Sequence, residues 1–188
     1  EKKESVVHTL RSGIEHLLKK NNVTVIKGMG TLMTPHQIEV KQNDETTSVI
    51  HVKNVILATG SETNAPNIPG LREANPMTNK EALSAAALPK SIAIIGAGAI
   101  GCEFASIYAP LGVKVAVIEA QEEILSTFDA DLTQHVKKSL EKDGVSFYTS
   151  SKITEVIKEK GYKKILIEQN GQMKELIVFT NNGQTYHF

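Results

Sequence analysis

The chain has 188 residues, enough for one sizeable domain or for one compact domain with a piece of another, and its 40% apolar content is ordinary for a globular protein. Lys plus Arg and Asp plus Glu total 21 each, so the net charge gives no reason to expect nucleic acid or an acidic membrane surface as a partner. The apolar runs are too short for a membrane span, and the single cysteine excludes both an internal disulfide and a multi-cysteine metal site.

The first part of the chain predicts a helix followed by short strands. Apolar residues at helical spacing place one face of an amphipathic helix that ends near residues 21–22. They are Val6, Val7, Leu10, Ile14, Leu17 and Leu18. Segments rich in Val, Ile and Thr then predict a strand, an antiparallel meander and a further strand. These segments are 23–26, 37–41, 48–52 and 54–58. Three prolines and a glycine mark 64–76 as a linker.

The second part predicts alternating strands and helices. After a short Ala-rich helix at 80–87, strands at 91–95, 113–118 and 145–148 are separated by two helices, which implies parallel pairing with right-handed crossovers. The predicted buried faces of these helices are Ile100, Phe104, Ile107, Tyr108 and Leu111, and then Leu132, Val136 and Leu140. Pro110 should end or kink the first helix, and Gly144 should stop the second. Alternation at 152–158, 163–169 and 173–179 predicts another antiparallel meander.

A glycine-rich turn follows the strand at 91–95. The turn is Gly96-Ala97-Gly98-Ala99-Ile100-Gly101, and a strand, this turn and a helix together form a dinucleotide-phosphate site. Gly96 permits the tight turn, Gly98 lets the backbone approach a pyrophosphate, and Gly101 lets the helix pack closely on the strand. A nucleotide triphosphatase would need Gly-Lys-Ser or Gly-Lys-Thr, and this turn continues with Gly-Cys-Glu. The competing interpretation is a glycine-rich turn that binds nothing.

Glu119 makes this signal more specific. It stands 21 residues after Gly98 at the end of the next strand, where a carboxylate accepts hydrogen bonds from both ribose hydroxyls of an adenosine. A 2′-phosphate would meet like charge there, and no Arg or Lys occurs in the following seventeen residues, up to Lys137, so NAD is favoured over NADP. Cys102 fits a small packing residue better than a reactive thiol. Glu103 either complements the helix dipole or faces the nicotinamide end of the ligand.

Four segments together resemble the pyridine nucleotide–disulfide oxidoreductases, from about residue 3 to about residue 178. They are Ala58-Thr59-Gly60-Ser61, Ile68-Pro69-Gly70, the run from Ile94 to Ser106, and Val115 to Glu119. The continuation Ile100-Gly101-Cys102-Glu103-Phe104-Ala105-Ser106 is more specific than the glycines alone. With the element pattern, the predicted fold class is α/β: a Rossmann-like dinucleotide-binding domain with a parallel sheet and an antiparallel β-meander, plus a truncated second α/β unit of the same kind.

The resemblance implies two cofactors and assigns residues to each. The implied NAD-binding residues are Gly96, Ala97, Gly98, Ala99, Ile100, Gly101, Cys102, Glu103, Glu119 and Ile153. The implied FAD-binding residues are Gly30, Thr59, Gly60 and Ser61. Residues 1–70 would then be a partial FAD-binding domain and 71–180 the NAD-binding domain, followed by an atypical tail at 181–188 that lacks the family's return strand.

In the branch that the chain matches best, the resemblance implies oxidation of dihydrolipoamide carried on a lipoylated protein of a 2-oxo acid dehydrogenase complex. Electrons pass through a disulfide and FAD to NAD, in a homodimer located in the cytoplasm or the mitochondrial matrix. The chain carries neither the two-cysteine motif, the N-terminal FAD glycine turn nor the catalytic His-Glu pair, so it is expected to be an inactive fragment with no catalytic residue. The alternatives are a related NAD(P)H-dependent flavoprotein disulfide reductase or NADH oxidase, and a non-catalytic nucleotide-binding module.

Overall fold

The structure, a computed structural model, describes residues 2–179 and the backbone of 185–186. Internal contacts divide the chain into two units, Glu1–Ser61 and Glu62–Phe188. The sequence placed the boundary between residues 70 and 71. Residues before that boundary are held by the second unit: Ile68 packs against the cluster that contains Ile153 and Val156, and the N–H of Val156 donates to the carbonyl of Pro69 at 2.9 Å. The assignment of the two parts to FAD and NAD stays a prediction.

The first unit is a helix and a three-stranded antiparallel sheet. Its elements are α1 (Lys2–Lys20), β1 (Gly28–Thr34), β2 (Gln37–Gln42) and β3 (Thr47–His51), with strand order β1-β2-β3. The predicted helix and meander are therefore confirmed. The strands predicted at 23–26 and 54–58 are wrong, because neither segment has a ladder partner among the described residues. A strand is stabilised by hydrogen bonds to a neighbour, and apolar composition alone does not supply one.

The apolar face of α1 is present in sequence but not buried. Leu10 is 63% exposed and Ile14 is 58% exposed, and the helix buries none of its residues. Among the described apolar residues of this unit, Val40 in β2 is the buried one. The helical spacing therefore correctly predicted helix α1. No other described residues cover its apolar face.

The second unit is built on a three-stranded parallel sheet. Its alternating elements are β5 (Ser91–Ile95), α3 (Ala99–Tyr108), β6 (Lys114–Ile118), α4 (Ala130–Lys142) and β7 (Ser146–Tyr148), with strand order β5-β6-β7. Ile94 of β5 and Val117 of β6 are register partners and pack among the helices, whereas Ala93 and Ile118 face the meander. Both faces of the sheet are thus buried, as parallel sheets require.

The two crossover helices form where expected, and each buries part of its predicted face: Phe104 and Tyr108 in α3, and Leu140 with the partly buried Val136 in α4. Helix α3 buries Gly101, Cys102, Phe104, Ala105 and Tyr108. The predicted Ile100, Ile107 and Leu111 are about half exposed. Helix α4 buries Thr133 and Leu140, and the predicted Leu132 is 52% exposed. The first buried residue of α3 is Gly101, which lies so close to the Gly96 carbonyl and to Ile94 of β5 that this side of the helix must face inward.

The ends of these helices follow their sequence signals. Helix α3 stops before Pro110 and continues as a short 3₁₀ turn at Ala109–Leu111, as proline in the final turn predicts. Gly144 follows α4 with a φ of 91°, the left-handed conformation of a helix stop. The Ala-rich helix is shorter than predicted: α2 spans Asn79–Ala82 and opens with a capping box between Thr78 and Glu81. Pro89 disfavours helix at the residue before it, and α2 buries only Ala82.

The second meander is confirmed. It consists of β8 (Ser151–Lys158), β9 (Tyr162–Gln169) and β10 (Gln172–Phe179), in the order β8-β9-β10. Two short strands, β4 (Pro76–Met77) and β11 (Thr185–Tyr186), pair in parallel, so part of the tail does return to the second unit. The rest of the predicted atypical tail, 181–184 and 187–188, lies outside the described residues. In the described chain no helix combines the length and the apolarity that crossing a membrane demands.

Candidate dinucleotide-binding site

The glycine turn joins the carboxyl end of β5 to the start of α3. Gly96 has a φ of 104°, a backbone conformation that an L side chain rarely adopts. A Cβ added at Gly101 would lie 2.1 Å from the carbonyl oxygen of Gly96, so the helix could not pack this closely on the turn with any other residue there. Both positions therefore require glycine for the fold itself.

Gly98 differs from the other two glycines. It is the N-cap of α3 with a φ of −72°, which any residue can adopt, and a Cβ added there would meet no atom within 4 Å. The fold places no demand for glycine at this position. Empty space above a glycine at a helix N-terminus is what a bound pyrophosphate would need, because a methyl group there would occupy the ligand's place.

Amides without intrahelical acceptors surround this space. The first intrahelical bond of α3 is donated by the N–H of Cys102 to the carbonyl of Gly98, at 3.0 Å. The N–H groups of Ala99, Ile100 and Gly101 precede it and have no intrahelical acceptor. Together with the positive end of the helix dipole, they suit the oxygen atoms of a phosphate.

The Glu119 carboxylate is held in a fixed orientation beside the turn. Its Oε2 accepts a hydrogen bond from the N–H of Ala97 at 2.7 Å, and its Oε1 accepts one from the N–H of Gln121 at 2.8 Å. Each oxygen retains a lone pair that these bonds do not use. The Ala97 amide is thus committed to Glu119, and Ala97 contributes to the predicted site by orienting the carboxylate.

A cleft of about 410 Å³ opens at the carboxyl ends of β5 and β6. Gly96, Glu119 and Ile153, which the sequence assigned to NAD, all line it. Ile153 reaches it because β8 starts beside β6, with the N–H of Ser151 donating to the Glu119 carbonyl at 2.9 Å. The volume lies within the ordinary range of ligand pockets, and its position at the strand ends is where open α/β sheets bind nucleotides.

Cys102 and Glu103 lie away from this cleft. Both line a separate apolar groove of about 340 Å³ between α3 and α4, together with Phe128 and Leu132. The Cys102 thiol is buried and donates to the Ala97 carbonyl at 3.5 Å, and burial, followed by the charges of Glu119 and Glu103, raises its pKa to about 11. A thiol in this state is a packing group rather than a nucleophile. The role of Glu103 stays open between the two expected ones.

Polar residues that the sequence did not assign to the site also line the cleft. Asn64 and Asn67 come from the segment predicted as a linker, which forms one wall. Lys152 comes from the start of β8 and brings a cation to the same cleft as Glu119. Lys152 lies far from Glu119 in sequence and reaches the cleft on another strand, so sequence proximity to Glu119 does not predict it. Its position next to Ile153 was the one available signal.

The predicted FAD residues all belong to the first unit. Gly30 lies in β1 opposite Val40, and a Cβ there would meet Ile38 at an ordinary 3.6 Å. Thr59, Gly60 and Ser61 are exposed and lie outside any helix or strand, and Gly60 has a φ of 78°. Their assignment to FAD stays a prediction.

The chain matches the family described as pyridine nucleotide-disulphide oxidoreductase over residues 1–186. It is 37% identical over 171 residues to a mitochondrial dihydrolipoyl dehydrogenase of Dictyostelium discoideum, covering 90% of this chain and 35% of that one. The dihydrolipoyl dehydrogenase of Chlamydia pneumoniae is 36% identical, with 93% and 37% covered. A leghemoglobin reductase of Glycine max is 34% identical, with 94% and 34% covered. The chain thus spans little more than a third of the length of these relatives.

Solved structures agree with this comparison. The HOCl-induced flavoprotein disulfide reductase RclA from Escherichia coli, solved as a Cu(II) complex, superposes with a TM-score of 0.79 at 26% identity, covering 100% of this chain and 41% of that one. The predicted α/β fold with parallel and antiparallel sheets is that of these flavoprotein disulfide reductases. The cofactors of this group are FAD and NAD, as the sequence predicted for the family. The chain belongs to the pyridine nucleotide-disulphide oxidoreductase family.

Proposed function

We propose that the second unit binds NAD(H), with the adenosine ribose on Glu119 and the pyrophosphate over Gly98. The observation that carries this proposal is the pair of hydrogen bonds to the Glu119 carboxylate. The backbone N–H groups of Ala97 and Gln121 each donate to one of its two oxygens and hold it in place. The carboxylate is oriented before any ligand arrives, so ribose hydroxyls would meet acceptors that need no reordering.

The same geometry supports NAD over NADP. A 2′-phosphate on a ribose bound at Glu119 would come close to that carboxylate, and the two like charges would repel each other. Lys152 lines this cleft and offsets part of that repulsion. We therefore expect NADH to be preferred over NADPH by about tenfold rather than by several orders of magnitude, a difference of about 1.4 kcal/mol.

The decisive experiment is a titration of the chain with NADH and NADPH, followed by nucleotide fluorescence, for wild type and Glu119→Gln. The variant keeps a neutral acceptor but removes the charge, so the NADH preference should narrow toward unity. Glu122→Gln is the matched control, since this exposed carboxylate lies three residues away and does not line the cleft. Binding of neither nucleotide, or tighter binding of NADPH by the wild type, would contradict the proposal.

For the whole protein we propose dihydrolipoyl dehydrogenase activity. Dihydrolipoamide, presented by a lipoylated protein of a 2-oxo acid dehydrogenase complex, would lose two electrons and two protons to become the disulfide. A redox disulfide and FAD would relay the electrons to NAD in a homodimer. Identities of 37% and 36% to two dihydrolipoyl dehydrogenases support this substrate. The part described here would contribute the NAD site and no catalytic residue.

The second candidate is a flavoprotein reductase with another substrate. It is supported by 34% identity to a leghemoglobin reductase and by the fold shared with a HOCl-induced disulfide reductase. The sequence encoded upstream of residue 1 would distinguish both enzyme candidates from a non-catalytic nucleotide-binding module. Two cysteines spaced by four residues there would support a disulfide enzyme, and lipoamide turnover by that longer protein would then decide the substrate.

A further inference from the structure

A lysine occupies a core position of the second meander. In β9 the alternating residues Lys163, Ile165 and Ile167 are all buried, so the pattern would place an aliphatic side chain where Lys163 stands. Lys163 is 1% exposed, and its Nζ donates a hydrogen bond to the carbonyl oxygen of Ala74. That bond joins β9 to the segment that the sequence predicted as a linker.

Two further contacts hold the same segment to β8. The N–H of Val156 donates to the carbonyl of Pro69 at 2.9 Å. The next residue, Gly70, has a φ of 74°, and a Cβ added to it would lie 1.9 Å from the Val156 carbonyl oxygen. The backbone of the segment is therefore pressed against the meander at its start and tied by Lys163 at its end.

The preceding residues form one wall of the dinucleotide cleft. Asn64, Pro66, Asn67 and Ile68 line it together with Glu119. Short turns connect this wall, residues 64–68, to the segment at 69–74 that contacts the meander. The N–H of Ile68 donates to the carbonyl of Pro66 at 3.0 Å, and the N–H of Leu71 donates to the carbonyl of Ile68 at 3.1 Å. Displacement of Ala74 would thus be transmitted over a few residues to the cleft.

We propose that Lys163 is a positioning residue for nucleotide binding, which fixes the 64–68 wall of the cleft through its bond to Ala74 and the adjoining contact of Gly70 with Val156. This inference rests on the proposed NAD(H) site and adds to it a support that lies outside the cleft. Neither Lys163 nor Ala74 lines the cleft.

The state of the buried amine agrees with such a role. Desolvation, helped by the charge of the cross-strand Lys158, lowers the pKa of Lys163 from the ordinary 10.5 to about 8. Burying this group is unfavourable for stability, and a methionine would fill the same space without that cost. The bond to Ala74 is what an aliphatic residue would not provide.

The test compares Lys163→Met with Lys164→Met in the full chain, with NADH and AMP as probes. Lys164 is the adjacent residue, partly exposed and paired with Glu175 at 2.9 Å. Lys163→Met should weaken both probes by roughly three- to tenfold, because the wall would be in its binding position only about a tenth to a third of the time. The loss of affinity should exceed what any fall in the melting temperature of this variant accounts for, and Lys164→Met should bind both probes as the wild type does.

The outcomes separate the inference from the proposed function. The inference is wrong, while the NAD(H) site stands, if the wild type binds the probes and Lys163→Met binds them equally well. It is also wrong if the loss of affinity in Lys163→Met is fully explained by a lower fraction of folded protein, as its melting temperature would show. If the wild type binds neither probe, the proposed function fails and the inference fails with it. Should Lys163→Met not fold, hydrogen exchange of the wild type decides: NADH should slow exchange at the amides of Leu71 and Ala74, and unchanged rates would overturn the inference.

Discussion

Alanine at Gly98 should weaken nucleotide binding and leave the fold intact. The φ of −72° suits alanine, and the added methyl group meets no atom within 4 Å. The exchange of glycine for alanine at an N-cap should cost at most about 1 kcal/mol of unfolding free energy. If the pyrophosphate lies over this glycine, the methyl group displaces it from the helix amides. Loss of one charge-assisted hydrogen bond, worth about 1.5–3 kcal/mol, would raise the Kd for NADH about 10- to 150-fold.

Alanine at Gly101 should behave differently, because there the obstruction is inside the protein. Its Cβ would lie 2.1 Å from the Gly96 carbonyl oxygen, so α3 must move by at least about 1.3 Å to reach ordinary contact. Overpacking of this kind costs about 1–3 kcal/mol, from which up to about 1 kcal/mol is recovered by the better helix propensity of alanine. Gly101→Ala should therefore lose both stability and NADH affinity.

Gly13→Ala supplies the matched control for both substitutions. Gly13 lies inside α1, and a Cβ there meets nothing within 4 Å. The unfolding free energy of this variant should therefore rise by about 0.5–1 kcal/mol, and its NADH affinity should equal that of the wild type. Urea unfolding and NADH fluorescence titration on the three variants measure both quantities. The reasoning is refuted if Gly98→Ala binds NADH within twofold of the wild type, or if Gly101→Ala is as stable as Gly13→Ala.

Two further predictions concern buried titratable groups. Cys102, with its pKa raised to about 11, should react with a disulfide reagent at pH 8 far more slowly in the native chain than in urea, and equal rates would show that the thiol is accessible. The lowered pKa of Lys163, about 8 against 10.5 unfolded, means that the unfolded chain binds more protons between these values, so unfolding free energy should rise there by up to about 1.4 kcal/mol per pH unit. Cys102 lowers the unfolding free energy as the pH rises from 9 to 11, which opposes the effect of Lys163. The quantity to measure is therefore the unfolding free energy of the wild type minus that of Lys163→Met. If this difference does not change with pH, the prediction is contradicted.

The elements of the second unit were predictable because their signals are local. The glycine turn, Pro110, Gly144 and the alternation of the second meander each restrict the backbone within a few residues, and each predicted feature forms. The helix faces were predicted less well. Helical spacing alone does not determine which side of α3 is buried. The close approach of Gly101 to the Gly96 carbonyl determines it, and the packing role predicted for Gly101 was the signal for that side.

The candidate site was predictable where one motif supplies it and not where separate strands meet. The turn and Glu119 belong to a single strand-helix-strand unit, so sequence spacing alone relates them. Asn67 and Lys152 reach the cleft from segments far apart along the chain, and the prolines around Asn67 indicated a linker. Proline and glycine mark irregular backbone, but they do not show whether that backbone is solvated or packed as a wall.

The first unit shows the opposite limit. Segments 23–26 and 54–58 have the composition of strands, yet the described chain offers them no partner, and the face of α1 stays exposed for the same reason. These two strand predictions were wrong because composition indicates only a tendency toward strand, whereas strand pairing depends on tertiary contacts. Composition reports that a segment suits a sheet without reporting which sheet.

We expect nucleotide binding and electron transfer to be separable properties of this protein. The contacts that orient the cleft lie within the second unit: Ala97 to Glu119, Ser151 to Glu119, and Lys163 to Ala74. The predicted FAD residues all lie in the first unit, whose described apolar side chains are mostly exposed. NADH affinity should therefore report on the second unit alone. A chain that binds NADH but retains no flavin would leave the NAD assignment intact and would test only the assignment of Gly30 and Thr59–Ser61 to FAD.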